Sequence, residues 1–251
     1  MLLLLPPSET KRSGGEGPPL DLDALALPPL REQRQEALRG LLELASDADE
    51  MSRVLKLSDR QRDEVTVNRT VCTAPTLRAV DRFTGVLYDA LDAASLHEGA
   101  QAWLSEHALI QTALLGPVGA TDPLPAFRLS AGHRLPGLPP LKRHWSSSTT
   151  AALDGVDGPI VDLRSEAYRA LGPVPGGPAQ AYVRVVAESG DGAVRALNHF
   201  NKKTKGLFTR ALAQDAPDIS GLDDLVTWAS GAGFSLRDAA TPGEILLIER
   251  T

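Results

Sequence analysis

Residues His199 to Leu212 concentrate positive charge in an otherwise acidic protein. The segment reads HFNKKTKGLFTRAL and carries Lys202, Lys203, Lys205 and Arg210. At helical spacing one face collects Phe200, Thr204, Leu207, Phe208 and Ala211. We expect Lys202, Lys203 and Arg210 to lie outside that face, with Gly206 leaving a gap beside them. Such groups bind phosphate oxygens, so the segment predicts an anion or nucleic-acid site, and the alternative is a solvated helix face.

A second cationic group lies in the segment FRLSAGHRL, residues 127 to 135. The segment places four polar residues around Gly132, namely Arg128, Ser130, His133 and Arg134. A guanidinium group can hold a phosphate or a carboxylate through two parallel hydrogen bonds. The segment is therefore a candidate anion site, with solvated surface arginines as the alternative.

Two further groups follow predicted strands. Ser8 and Lys11 come after the run Leu2 to Leu5 and form a Ser-x-x-Lys pair, a spacing that activates a serine nucleophile in some folds. Here the pair follows two prolines in a glycine-rich loop, which disfavours that role. After a predicted strand at residues 158 to 163, Ser165 can cap a helix and bind an anion through backbone amides. Glu166 and Tyr168 are candidates for acid-base chemistry, and a structural cap is the alternative.

Charge and composition narrow the function classes. The formal net charge is -6 and the isoelectric point is about 5.4, so any contact with nucleic acid must come from a local basic patch. The single cysteine, Cys72, cannot form an internal disulfide or a zinc site by itself. We interpret it as a small apolar residue, with a redox-sensing thiol beside Arg69 and Arg78 as the alternative.

Cofactor and metal motifs are absent from the sequence. The glycine loop at residues 116 to 123 lacks both the Gly-Lys-Ser/Thr ending of a phosphate-binding loop and the dinucleotide fingerprint. The five histidines are scattered, and none stands in a His-Glu-x-x-His pattern. We therefore expect no cofactor and no dedicated metal site.

The apolar pattern indicates which elements position these groups. Leu2 to Leu5 and residues 108 to 115 predict buried strands, with further strands at residues 158–163, 181–187, 193–197, 234–237 and 244–249. Helices are expected at residues 30–45, 58 onward, 75–91, 100–107, 141–153 and 218–229, besides the basic segment. Residues 189 to 192 predict a hairpin turn, and a flexible loop is expected near residues 12–29. With 42% hydrophobic residues, the chain can bury a full core.

No apolar run approaches the length of a membrane helix, and the first residues lack the features of an export signal. We therefore expect a protein of the cytoplasm with no membrane partner.

Five segments together resemble the YaaA family of bacterial peroxide-stress proteins. They occur in one order along nearly the whole chain and read LLLPPSETK (3–11), FTGVLY (83–88), FRLSAGHRL (127–135), DLRSEAY (162–168) and FNKKTKGL (200–207). The resemblance implies a single mixed α/β domain over residues 1–251, in which a mixed sheet is flanked by helices. It also implies a response to hydroperoxide that restrains intracellular iron and limits oxidative damage, and binding to double-stranded DNA.

The resemblance also implies where DNA binds. Family members use a positively lined cleft and a helix-hairpin-helix-like element, which here falls around Leu114 to Leu124. This sequence reads Gly119-Ala-Thr-Asp122 where we expect an arginine, so backbone amides remain without the cationic side chain. The family motifs place around one cleft Ser8, Lys11, Arg128, Arg134, Lys202, Lys203 and Lys205.

Two hypotheses from different classes remain open. In the first, the protein binds DNA through phosphate contacts, and any effect on iron is indirect. In the second, it is an enzyme acting on a small anionic substrate, a nucleotide or another phosphate-bearing molecule. Lys11 or Lys202 would then act as an electrophilic or basic group, and Glu166 or Tyr168 would transfer protons.

Overall fold

The core of the protein is a mixed β-sheet of eight strands within the described residues. The computed structural model describes residues 1–177, 179–188, 194–196 and 200–250. Strands β2 and β5 form a separate two-stranded sheet, and the other eight strands belong to the main sheet. The strands are β1 Leu2–Leu5, β2 Leu77–Arg78, β3 Ala108–Thr112, β4 Gly116–Gly119, β5 Pro123–Leu124, β6 Ile160–Asp162, β7 Gln180–Glu188, β8 Val194–Ala196, β9 Ser235–Asp238 and β10 Glu244–Arg250.

The strand order places β1 inside the sheet. The order is β4-β3-β1-β6-β7-β10-β9, and β8 pairs with β7. Strands β3, β1, β6, β7 and β10 run parallel to one another, while β4, β8 and β9 are antiparallel to their neighbours. The predicted mixed α/β fold is confirmed.

Helices pack on this sheet. They are α1 Arg31–Ser46, α2 Ala48–Val54, α3 Glu64–Arg69, α4 Ala79–Arg82, α5 Val86–Leu91, α6 Glu98–His107, α7 Leu141–Asp154, α8 Glu166–Arg169, α9 Phe200–Asp215 and α10 Leu222–Gly231. Short 3-10 turns occur at Leu22–Ala24, Pro28–Leu30, Asp59–Gln61 and Ala93–Ser95. In the described part of the chain, no helix is long and apolar enough to cross a bilayer.

Strand β1 is buried on both faces, as its run of leucines predicts. Leu3 and Leu5 belong to the large apolar cluster on one face, and Leu2 and Leu4 belong to a smaller cluster on the other. Successive side chains of a strand point to opposite faces, so a continuous apolar run fits a central parallel strand. The strand thereby fixes the position of the polar loop that follows it.

The expected helix over residues 75–91 is wrong as one continuous element. The segment forms β2, α4 and α5, with a break at residues 83 to 85. Gly85 has a φ of +96°, which a helix interior does not allow, and Phe83 forms an isolated bridge with Lys11. Pairing with distant strands and with the loop after β1 overrides the local helical pattern.

The expectations for residues 114 to 124 are also wrong. The segment contains β4 and β5 rather than a glycine loop or a helix-hairpin-helix element, and residues 114 to 120 are buried. The fully buried Arg34 holds it in place by donating to the carbonyl oxygens of Leu115 (3.0 Å) and Pro117 (2.8 Å). In this conformation residues 114 to 120 do not present their backbone amides at the surface.

Helix α9 forms where the basic segment predicts it, but its buried face differs from the prediction. Phe208 is buried as expected, whereas Leu207 is 42% exposed and Lys205 only 5% exposed. The gap expected beside Gly206 is closed, since a Cβ there would collide with the carbonyl oxygen of Leu87 on α5. Gly206 therefore allows close packing between two helices rather than space for an anion.

Residues 12 to 29 contact the rest of the fold at several points. The backbone N–H of Arg12 donates to the carbonyl of Arg82 (2.8 Å), and Gly17 pairs with Thr76 through backbone bonds in both directions. The mobility of this segment stays a prediction. The hairpin turn predicted at residues 189 to 192 and the start of the basic segment at His199 lie outside the described residues.

Candidate anion-binding site

The loops that carry the candidate residues emerge at one edge of the sheet. Strands β1 and β6 are adjacent and parallel, so their carboxyl ends meet at that edge. The chain after β1 continues towards β3 on one side, whereas the chain after β6 continues towards β7 on the other. Open α/β sheets bind ligands in the crevice at such a reversal.

An open hollow of about 560 Å³ lies beside the loop that follows β1. We call it the cationic hollow, and its lining residues are Glu9, Arg53, Val54, Lys56, Arg128, Ser130, Gly132, His133 and Arg134. Arg53 is paired with Glu50 on its own helix (2.6 Å), and Arg128 is paired with Glu9 (2.9 Å). Lys56 and Arg134 are exposed and have no ion pair among the described residues. The hollow therefore carries surplus positive charge in an acidic protein.

Glu9 bridges the two polar residues at the floor of the hollow. Its Oε2 accepts from Nη2 of Arg128 (2.9 Å), and its Oε1 accepts from the hydroxyl of Ser130 (3.1 Å). Nη1 of Arg128 also donates to the Glu9 carbonyl oxygen (3.3 Å). Arg128 and Ser130 thus already hold a carboxylate, which has the charge and acceptor geometry of the predicted ligand class.

Hydrogen bonds fix the main chain that carries these donors independently of the Glu9 side chain. The Asn68 side chain, buried on α3, accepts from the Arg128 N–H (2.7 Å) and donates to the Arg128 carbonyl (2.9 Å). The N–H of Ser130 donates to Nδ1 of His133 (3.0 Å). Burial lowers the pKa of His133, and the nearby Arg128 lowers it further, which fits an imidazole that accepts at Nδ1.

Lys11 lies next to the hollow with its ammonium group enclosed. Its Nζ donates to the carbonyl oxygens of Ser8 (3.2 Å) and Glu9 (3.4 Å) and lies 4.5 Å from the ring centre of Phe127. Burial, followed by repulsion from Arg128, lowers the pKa of Lys11 from 10.5 to about 7. Lys11 therefore exchanges a proton near neutral pH, which suits proton transfer as well as anion binding.

Lys11 does not activate Ser8 in this structure. The ammonium contacts the backbone carbonyl of Ser8, while the Ser8 hydroxyl lies 3.2 Å from the Thr10 hydroxyl. A serine nucleophile needs a base within hydrogen-bond distance of its own oxygen. The Ser-x-x-Lys spacing therefore places Ser8 near the site without making it a nucleophile.

The residues on α8 divide between two neighbourhoods. Tyr168 lies close enough to Glu9 and Arg128 to interact with both electrostatically, and burial raises its pKa to about 12, so its hydroxyl is a proton donor at neutral pH. Glu166 instead points to β7, where its Oε1 accepts from Nη1 of Arg184 (3.1 Å). Ser165 is the N-cap residue but makes no capping hydrogen bond through its side chain, so the expected cap contact is not present. Of the two acid-base candidates on α8, Tyr168 therefore neighbours Glu9 and Arg128, and Glu166 neighbours Arg184.

Lys205 belongs to a second buried charge cluster. Burial lowers the pKa of Lys205 to about 8, with Asp162 raising it and Arg184 lowering it. Asp162 is held by Arg164, which donates to both carboxylate oxygens (2.8 and 2.7 Å), and the Lys205 Nζ lies 5.8 Å from the ring centre of Tyr182. The residues expected around one cleft thus include members of two clusters, one around Arg128 and one around Lys205.

Lys202 and Lys203 are exposed at the start of α9, and among the described residues no ion pair or hydrogen bond joins them to either cluster. They remain available for phosphate contacts at the surface. Their positions fit the expectation that these side chains lie outside the packed face of the helix.

Sequence reasoning missed Glu9, Lys56 and Arg53 as parts of the site. Glu9 stands inside the first family-like segment, but nothing local shows that its carboxylate reaches Ser130, 121 positions away. Lys56 adopts a left-handed conformation with a φ of 52° after the end of α2, which directs the chain away from the helix axis. Arg53 and Lys56 in sequence look like ordinary solvated charges.

Cys72 does not have the surroundings of a redox sensor. It is exposed, and desolvation raises the pKa of its thiol, whereas an activated thiol needs a lowered pKa. Within the residues that the structure describes, no three His, Cys, Asp or Glu side chains come close enough to hold a metal ion.

Comparison with known proteins adds a family relationship. A family profile described as "Peroxide stress protein YaaA" matches residues 1–240. A protein called UPF0246 protein in Corynebacterium glutamicum (strain R) is 41% identical over 252 residues, covering 99% of each chain. The UPF0246 protein of Corynebacterium efficiens is 42% identical over 240 residues, 94% of each chain. That of Streptomyces coelicolor is 38% identical over 243 residues, 96% of this chain and 93% of the relative.

Proposed function

Because the chain belongs to the YaaA family of peroxide stress proteins, we propose that it binds the phosphate backbone of double-stranded DNA in the cationic hollow. Binding would shield DNA from oxidative damage during hydroperoxide stress in the cytoplasm. Any influence on iron would then be indirect.

One observation supports the proposal: an acidic protein gathers Arg53, Lys56, Arg128 and Arg134 around one open hollow, and Glu9 is the only carboxylate among its described lining residues. Two of these cations, Lys56 and Arg134, are exposed and have no ion pair among the described residues. The open shape suits a rod-like polyanion that lies across the opening, and the exposed cations can release counterions from phosphates. Little base sequence would be read, since the contacts are with phosphate.

The test is a titration of labelled duplex at two salt concentrations. Each phosphate contact contributes roughly -0.9 to the slope of log affinity against log salt. We expect the double variant Lys56→Ala/Arg134→Ala to weaken binding at least tenfold and to reduce the steepness of the slope by about 2. A matched control, Lys142→Ala/Arg143→Ala, removes the same charge from exposed positions on α7.

Equal losses in the two double variants would refute the cationic hollow as the DNA site, because net charge alone would then explain the effect. Binding that is insensitive to salt would refute phosphate contacts altogether. A further pair, Lys202→Ala/Lys203→Ala, tests whether the start of α9 extends the same surface, and we expect a smaller loss there.

A second candidate function is an enzyme acting on a small nucleotide or another phosphate-bearing substrate in the same cleft. The pKa values of about 7 for Lys11 and about 8 for Lys205 favour it, since buried amines of this kind are suited to proton transfer. Lys202, by contrast, is exposed on the surface. The enzyme hypothesis expects nucleotides or sugar phosphates to raise the melting temperature while duplex DNA does not.

A further inference from the structure

We propose that Arg128 and Ser130 form a phosphoryl subsite, and that the carboxylate of Glu9 occupies it until a phosphoryl group displaces it. The inference rests on the proposed function of the cationic hollow as an anion site and deepens it. It makes Glu9 a specificity-determining residue rather than a structural ion-pair partner.

The contacts of Glu9 are those of a bound anion. Each carboxylate oxygen accepts from a different residue, Oε2 from Arg128 (2.9 Å) and Oε1 from Ser130 (3.1 Å). Both residues are held by backbone bonds to Asn68 and His133, in which Glu9 takes no part. The main chain that carries both donors is therefore fixed independently of the Glu9 side chain, and the Arg128 guanidinium also donates to the Glu9 backbone carbonyl (3.3 Å), a contact that rotation of the Glu9 side chain does not remove.

The two partners of this ion pair differ strongly in exposure. The Glu9 side chain is 60% exposed and can rotate into solvent, whereas the Arg128 side chain is 13% exposed and cannot follow it. A mostly buried guanidinium without an anion is unfavourable. Departure of Glu9 is therefore coupled to arrival of another anion, and the process is an exchange of anions.

Arg128 has a donor that Glu9 does not use. Its Nε is buried and has no hydrogen-bond partner within the described residues. A terminal phosphate group offers three oxygens and as much as two negative charges, whereas a carboxylate offers two oxygens and one charge. A phosphodiester of the DNA backbone also offers two free oxygens and one charge. A terminal phosphate can thus reach one donor more than Glu9 does, and a phosphodiester can take over the donors now held by Glu9.

Glu9 consequently selects among anions. The Glu9 carboxylate is attached to the protein and therefore competes for the subsite at a high effective concentration. A free monoanion such as acetate makes the same contacts as Glu9, so it displaces Glu9 only weakly. A backbone phosphodiester, which has as many free oxygens as a carboxylate, gains the field of Lys56 and Arg134, which line the same hollow, and a terminal phosphate also gains the extra donor. The structure therefore assigns the subsite to phosphate esters, with the DNA backbone as the source under the proposed function.

The experiment compares Glu9→Gln with Glu16→Gln. Both variants remove one negative charge from the same loop, but Glu16 is exposed and lies outside the cationic hollow. Charge-assisted hydrogen bonds contribute roughly twice as much as neutral ones, so we expect Glu9→Gln to bind labelled duplex roughly five- to tenfold more tightly than the original protein. Glu16→Gln should change the affinity by less than about twofold.

A second arm measures the shift in melting temperature with inorganic phosphate and with acetate as probes. Phosphate should stabilise Glu9→Gln more than the original protein, and acetate should stabilise the variant while leaving the original protein unchanged. Adding Arg128→Met to Glu9→Gln should abolish both gains. Because Glu9 is exposed, the variant is expected to fold, and circular dichroism checks this.

The outcomes separate the two proposals. Equal behaviour of Glu9→Gln and Glu16→Gln in both arms overturns the subsite, even if duplex binding is tight and salt-dependent. A Glu9-dependent gain with phosphate, in a protein that does not bind duplex at any salt concentration, supports the subsite and overturns the DNA proposal.

Discussion

Replacing Lys11 with methionine isolates the energetic consequence of an enclosed ammonium group. In the folded protein, burial and then Arg128 lower the pKa of Lys11 to about 7, while the usual value of 10.5 applies to the unfolded chain. Between these values unfolding takes up a proton, so the free energy of unfolding rises with pH. Methionine has a similar length, carries no charge and suits the space between Phe83 and Phe127.

The size of the effect follows from proton linkage. Each pH unit between the two pKa values contributes about 1.4 kcal/mol, which gives about 3 kcal/mol between about pH 7 and about pH 9.5. Because Lys11 as a residue is only partly buried, solvent screening reduces this to about 2 kcal/mol. The contribution of Lys11 is fully present only above its unfolded pKa and is lost as pH falls towards 7. Lys205 has the same sign, but it is present in both proteins and cancels in the comparison.

Urea unfolding followed by tryptophan fluorescence measures this difference at several pH values. The original protein should gain about 2 kcal/mol relative to Lys11→Met between about pH 7 and about pH 9.5. Measurements stop there because the tyrosines begin to titrate above this range. Lys142→Met, at an exposed position, should show no such dependence. If the difference in unfolding free energy between Lys11→Met and the original protein does not change with pH, the reasoning is refuted. The carbonyl oxygens and aromatic rings around Lys11 would then keep its ammonium charged.

Three other predictions concern packing and reactivity. Arg34→Met removes the buried donor from the Leu115 and Pro117 carbonyls, so it should lower the free energy of unfolding by roughly 2–5 kcal/mol without changing duplex affinity; a loss below about 1 kcal/mol in urea unfolding would contradict this. Gly206→Ala should lower the free energy of unfolding by roughly 1–2 kcal/mol, because the new Cβ collides with α5. An increase of about 1 kcal/mol instead would contradict this and show that α5 and α9 separate easily. Cys72 should react with a disulfide reagent at neutral pH more slowly than free cysteine does, and a faster rate would restore the redox-sensor hypothesis.

Local sequence patterns were sufficient for many of the elements. The apolar run Leu2–Leu5 predicts β1 with the observed bounds, and the helical period between residues 30 and 45 predicts α1. In these elements the spacing of the apolar residues along the sequence matches the pattern of burial in the fold, so the sequence is enough to predict them. The loop with Ser8 and Lys11 was placed correctly because it must follow a strand that two prolines end.

Prediction failed where a distant partner decides the conformation. Residues 75 to 91 have helical spacing, but Leu77 pairs with Leu124, and the N–H of Thr84 donates to the carbonyl of Thr10 (3.2 Å). Residues 116 to 119 contain two glycines and a proline, which are typical of loops, yet they pair with β3. Backbone hydrogen bonds between segments far apart in the chain outweigh such weak local preferences.

The sequence by itself determined the residue types of the candidate site, the strands that precede its loops and the family to which the chain belongs. Only the tertiary structure decided which charged groups meet. A helical period fixes the faces of α9 relative to one another, but packing of Gly206 against α5 decides that Lys205 is buried while Lys202 remains exposed. Likewise, the meeting of Glu9 with Arg128 depends on loops 119 positions apart, because electrostatic interactions act through space and sequence spacing does not encode that distance.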